Sequence, residues 1–158
     1  MNKVELKKEQ IIKKVVELLK KSAVVAQMFE RFDKPISVID EAPISFADLD
    51  VSAKTKDEKI YLNNILVEEE DFLDHMHYIV HEMCHYLQQT TGEIEQYPNL
   101  HEMEYLDQPT ELEAFNYQVK FIREISGDEE ANKYVRDLLD FHEYEHSARD
   151  RKYQQLIK

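Results

Sequence analysis

The sequence predicts a mostly helical α+β domain with a small sheet of about three strands. Three observations point to that class. Apolar residues recur at three- and four-residue steps over residues 4–32, 69–91, 109–126 and 128–156, as in helices that bury one face. Between the first two stretches the period shortens to the alternation of half-buried strands. Only two glycines and four prolines punctuate the 158 residues, which suits long helices joined by few tight turns. A chain of this length fits a single domain, residues 1–158, with a real core.

In the first helical stretch Ile12, Val15, Leu19, Ala23 and Ala26 form the buried stripe, and seven lysines between Lys3 and Lys21 lie opposite, interleaved with Glu5, Glu9 and Glu17. Pro35 disfavours helical backbone at the residue before it, so one helix is expected to end near Phe32-Asp33-Lys34. Ile36-Ser37-Val38-Ile39 is short and rich in β-branched residues, and Pro43 separates it from the alternating run Ile44 to Val51. Thr55 to Lys59 reads as a polar turn, and Ile60 to Asn63 as a strand pairing back in a hairpin. The sheet is thus expected over residues 36–63.

The next helix is expected from about Glu69 to Thr91, with Leu73, Met76, Val80, Met83 and Leu87 as its apolar seam. Residues 92–108 lack a clear period and read as a long loop, a place where functional side chains often reside. Pro109 suits the first turn of a further helix whose stripe is Leu112, Phe115, Val119 and Ile122 and whose end is Gly127. Asp128 is the expected N-cap of a last helix running to Leu156.

Composition removes several classes of function. The formal charge is −13, from 33 acidic and 20 basic residues, and no basic patch of the kind a duplex requires stands out. A nucleic-acid partner is therefore not expected. Cys84 is the one cysteine, so an internal disulfide is excluded and the reducing cytoplasm is the expected compartment. No apolar run approaches the roughly 20 residues that span a bilayer, and no leader pattern is visible, so a membrane is not an expected partner either.

Chemistry is concentrated in Tyr78-Ile79-Val80-His81-Glu82-Met83-Cys84-His85-Tyr86-Leu87. Residues four apart return to one helix face, so His81 and His85 can direct their imidazoles at one metal ion. Glu82 lies on the flank of that face, placed to accept a proton from a water activated there. The pattern His-Glu-x-x-His is short enough to arise by chance, and it occurs again at His142-Glu143-Tyr144-Glu145-His146. The second copy is surrounded by Asp140, Arg149 and Asp150, the profile of a wet helix surface, and reads as coincidence. The first has uncharged flanks, which a dry metal site with supporting hydrogen bonds needs. Cys84 points away from the histidine face and reads as a packed thiol. His77, a further turn back, has drifted round the helix to the rim.

Tyr78 to Leu87 resembles the helix motif of the zincin metallopeptidases, in which uncharged residues flank His-Glu-x-x-His. Downstream, Pro109-Thr110-Glu111-Leu112-Glu113-Ala114 resembles the Glu-x-x-Ala segment of the gluzincin branch. The order of small sheet, motif helix, loop and glutamate helix is similar to that of minimal gluzincins, among them the phage- and mobile-element-associated metallopeptidases. The resemblance covers roughly residues 36–125. It implies a minimal zincin fold, a catalytic Zn2+ held by His81, His85 and Glu111, Glu82 as general base, and a peptide or protein substrate. Many members follow the alanine with an aspartate that supports a ligand histidine; here Phe115 stands there, and Asn116 or Glu113 could substitute. Glu113 is the alternative ligand, or the supporting carboxylate, or the cap of its helix through Thr110-x-x-Glu113. Residues two apart on a helix point about 200° apart, so only one of Glu111 and Glu113 can face the metal.

Peptide hydrolysis also gains from a donor to the developing oxyanion. Tyr105 and His101, with Tyr97, lie in the intervening loop, and His142 is at helical spacing with Val135 and Leu138. These supply the candidates for that role. Two further expectations stand beside the peptidase: a zincin-fold metal-binding regulatory or interaction module with little or no turnover, and a helical interaction protein with an accidental motif.

Overall fold

The computed structural model describes residues 2–68, 72–144 and 146–158. Glu69, Glu70 and Asp71, expected to open the motif helix, lie outside them, as does Glu145 of the second His-Glu-x-x-His copy. Among the described residues six α-helices, α1 (Lys3–Lys20), α2 (Ala23–Arg31), α3 (Met76–Thr90), α4 (Pro109–Ser126), α5 (Asp128–Phe141) and α6 (His146–Ile157), accompany strands β1 (Ile44–Ala47), β2 (Ala53–Lys56) and β3 (Lys59–Asn63). The protein is thus mostly helical α+β with a small mixed sheet. Among the described residues no helix is long and apolar enough to cross a membrane.

The N-terminal helix expected over residues 4–32 is two helices. Ser22 breaks it: its hydroxyl accepts from the amide of Val25 at 3.1 Å and donates to Glu124 Oε2 at 2.5 Å. The other Glu124 oxygen accepts from the amide of Ala23 at 2.8 Å. A serine that satisfies a helix start ends the preceding helix by the same act.

The sheet also departs from expectation. Residues Ile36–Glu41 form a short 3₁₀ helix, not a strand. Ile36 and Ile39 are three apart and fall on one side of such a helix, where Ile39 is buried. The hairpin partner of β3 is β2, which takes in Thr55 and Lys56 from the expected turn. The chain reverses at Asp57 and Glu58, both left-handed (φ 51° and 61°), as a two-residue hairpin turn demands. β1 pairs with β3 in parallel, with Ile44 opposite Ile60 and Phe46 opposite Leu62, giving the order β1-β3-β2. Ile60 and Leu62 are buried against the helices, and Thr55 Oγ1 of β2 donates to the Glu82 carbonyl at 2.8 Å, fastening sheet to motif helix.

α3 buries Met76, Val80, Met83 and Leu87 as expected, but Leu73 lies in a short 3₁₀ turn (Phe72–His75) before it and is exposed. Residues 92–108 contain three more 3₁₀ turns. α4 divides the core: Ala114 and Phe121 join the cluster built with α1, α2, α3 and the sheet. Its Phe115, Val119 and Ile122 join a second cluster with Ala131, Val135 and Leu139 of α5 and Leu156 of α6.

The last helix expected over residues 128–156 is likewise two. Gly127 (φ 93°) takes the N-cap position, and Asp128 is the first residue inside α5. α5 stops at Phe141, and Glu143 adopts a left-handed φ of 55°. The second His-Glu-x-x-His copy therefore straddles a helix break, with His142 at the C-cap of α5 and α6 starting at His146.

Candidate metal centre

α3 and α4 pack face to face over Ala114, whose small side chain is fully buried. On α4, Glu111, Ala114 and Gln118 fall at i, i+3 and i+7, a single stripe directed at α3. The opposing stripe of α3 carries His81 and His85. Glu111 Oε1 lies 3.0 Å from Nε2 of each histidine, and the two Nε2 atoms are 3.1 Å apart. His81, His85 and Glu111 form the one group of this kind among the described residues that could hold a metal ion.

The remaining ring nitrogens are committed to other partners. His85 Nδ1 is 2.8 Å from Gln88 Oε1, and His81 Nδ1 is 2.9 Å from Gln118 Oε1. The Gln88 amide is oriented by its neighbours: Nε2 donates to the Thr110 carbonyl at 3.0 Å and to Glu113 Oε1 at 3.1 Å, groups that only accept. Gln88 Oε1 must then face His85, Nδ1–H of His85 donates to it, and Nε2 is left for the triangle. Gln118 Nε2 contacts Tyr134 Oη at 2.9 Å and His77 Nδ1 at 2.8 Å. Burial, with the nearby His75, lowers His77 to about 4, so it is neutral and able to accept. Gln118 Oε1 accordingly faces His81. Both imidazoles thus present Nε2 to Glu111, the donor arrangement a cation requires.

Electrostatics without an ion follow from the same contacts. Burial opposes charge on His85, but the hydrogen bond and charge of Glu111, with the charge of Glu82, outweigh it and push His85 up to about 9. Burial would raise Glu111, yet the hydrogen bonds and charges of His81 and His85 hold it well below the usual carboxylate range. A proton on His85 therefore satisfies the triangle, and a metal ion would replace that proton.

Glu113 stands behind the group. The expected capping box is not formed, because the N-cap of α4 is Gln108 with no side-chain cap. Glu113 instead accepts from Gln88 and pairs with Arg31 Nε at 3.1 Å, while the other Arg31 nitrogens grip Glu93 at 2.8 and 3.0 Å. Phe115 packs its ring on that of His81 (centroids 4.4 Å apart), and Asn116 ties α4 to α6 through the Gln155 and Leu156 carbonyls. Two glutamines thus hold the histidines. Gln88 follows His85 by three residues and Gln118 follows Glu111 by seven, a helical spacing visible in the sequence. Arg31 is linked to them only by the fold.

Glu82 Oε2 is 4.0 Å from His81 Nε2. Its carboxylate accepts no hydrogen bond from another side chain among the described residues, and it borders a cavity of about 690 Å³. Tyr105 and His142 border the same cavity with their rings stacked, centroids 5.4 Å apart. Burial, then the negative charge of Glu111, push the Tyr105 phenol well above its ordinary value, and burial lowers His142. His101 is exposed on the Leu100–Glu102 turn, and Tyr97 is half-buried at the end of another; neither borders the cavity. Cys84 is buried in the first core, with its thiol pushed up by burial. No protein-family model, curated protein or solved structure matches the chain.

Proposed function

We propose that the protein is a zinc-dependent metallopeptidase of the zincin type. The observation that carries this reading is the conjunction of a two-histidine, one-carboxylate group with a second, unengaged carboxylate, Glu82, facing a cavity large enough for a peptide segment. The donors fit zinc, whose tetrahedral ligand atoms at about 2.0–2.1 Å stand a little over 3 Å from one another, close to the 3.0–3.1 Å here. Two imidazoles and one carboxylate also match a catalytic zinc that keeps one position open. The resemblance of Tyr78 to Leu87 and of Glu111 to Ala114 to gluzincin motifs adds the peptide substrate.

Bound zinc would supply Lewis acidity, polarising the scissile carbonyl and making a water acidic enough to lose a proton near neutral pH. His81, His85 and Glu111 hold the ion; Gln88 and Gln118 keep the imidazoles in the competent tautomer. Glu82 accepts the proton of the attacking water and passes it to the leaving amine. Tyr105, whose hydroxyl keeps its proton, is the donor for the developing oxyanion.

Zinc content after purification without chelator, together with hydrolysis of a broad peptide library, tests the reading. Near-stoichiometric zinc and cleavage that Glu82→Gln abolishes while retaining zinc are expected. Absence of zinc overturns the metal site. Zinc without cleavage of any peptide leaves the binding or regulatory module.

A further inference from the structure

The candidate site is the bottom of a larger apolar surface. Ten large apolar side chains are exposed among the described residues, and six of them border two adjoining cavities. Val51, Tyr78, Tyr105 and Phe141 border the 690 Å³ cavity beside Glu82. Leu73 and Ile125 border a second, of about 440 Å³. Tyr134 and Asp137 line both, so the two adjoin at these side chains and together make the trough. Phe141 is 81% exposed at its rim, an arrangement that costs free energy unless something covers the ring. Val51, before β2, and Phe141, at the end of α5, flank the first cavity from different elements. His81 and Glu82 line the same cavity, so an occupant that fills it meets them as well.

Carboxylates outnumber cations along the trough. Glu82 and Asp137 face the first cavity, and Asp74, Glu130 and Asp137 the second. The single lysine there, Lys133, is 3.6 Å from Asp137. Such walls repel acidic chains and attract basic ones, in keeping with the net charge of −13.

Resting on the metallopeptidase reading, we propose that the substrate is an unfolded polypeptide segment rich in bulky apolar side chains and carrying basic residues. Its apolar side chains fill the cavity beside Glu82, and its continuation lies against Leu73 and Ile125. A folded surface seldom offers such a contiguous apolar stretch, so the segment is one exposed by unfolding or disorder.

Fluorescence anisotropy on the zinc-loaded Glu82→Gln protein, in which Asp74, Glu130 and Asp137 still line the trough, tests this without turnover. The probes are three labelled extended peptides of one length: Leu/Phe alternating with Lys, the same with Glu for Lys, and Ser for Leu/Phe. The first is expected to bind about tenfold or more tightly than the others. Adding Phe141→Ser should weaken it by about tenfold and Ile125→Ser by a few fold, whereas Leu6→Ser, exposed but bordering neither cavity, changes nothing. Equal affinity for the three peptides, no binding of the first, or an equal loss from Leu6→Ser overturns the proposal. Selective binding with no hydrolysis by the unmodified protein leaves the trough standing and removes the peptidase. Hydrolysis without selectivity does the reverse.

Discussion

Replacing Gln88 with leucine removes an amide that has three partners: the His85 imidazole at 2.8 Å, the Thr110 carbonyl at 3.0 Å and the Glu113 carboxylate at 3.1 Å. Leucine has similar bulk, so the change is electrostatic and not a cavity. Two consequences separate. His85 loses the acceptor that holds its proton on Nδ1, and the loss of such a partner costs roughly 10- to 100-fold in metal affinity, about 1.4–2.7 kcal/mol. The buried Thr110 carbonyl and the His85 N–H lose their partner, costing on the order of 2–4 kcal/mol of folding stability. At roughly 2–4 °C per kcal/mol for a chain of this size, Tm falls by about 5–15 °C. Competition of the metal-loaded protein against a chelator of known affinity reads the first effect, and thermal unfolding of the metal-free protein reads the second. Zinc affinity of Gln88→Leu within twofold of the unmodified protein would refute the orienting role.

Further outcomes follow from the neighbouring contacts and from the start of α2. His85 is raised from about 6.5 to about 9 without metal, so its proton contributes stability that is complete below pH 6.5 and fades as pH rises through 9. Glu111, depressed by the same contacts, contributes stability present above its unfolded value of about 4.5 and lost as pH falls toward its folded one. Zinc uptake should release a proton between pH 6.5 and 9, with apparent affinity rising about tenfold per pH unit in that window; affinity flat with pH refutes the His85–Glu111 pairing. Glu111→Ala should lose zinc on dialysis, whereas Glu113→Ala, which disturbs only the Gln88 contact and the Arg31 pair, keeps it with weaker binding. Metal analysis of both decides the ligand, and loss confined to Glu113→Ala reverses the assignment. Ser22→Ala removes the α2 cap and the Glu124 contact, and denaturant unfolding should show about 1–2 kcal/mol of lost stability; no change would mean that α1 and α2 are parted by packing alone.

The sequence by itself determined the features that depend on one helix at a time. The 3.6-residue period over α3 and α4 places Met76, Val80, Met83, Val119 and Ile122 in the core and His81 and His85 on one face. Pro109 and Gly127 mark the ends of α4 because their effects act on the backbone next to them. Only the tertiary structure decided the rest. Ser22 ends a helix because Glu124, 102 residues away, takes its hydroxyl. β1 pairs with β3 in parallel while β2 holds the other edge, a choice among pairings that alternation alone leaves equal. Two glutamines replace the expected carboxylate beside the histidines because Phe115 is turned onto the His81 ring and Asn116 is drawn to the α6 carbonyls. Glu111 meets His85 across 26 residues for the same reason: which face of α4 meets α3 is set by the packing of two cores around it, and no local period encodes that.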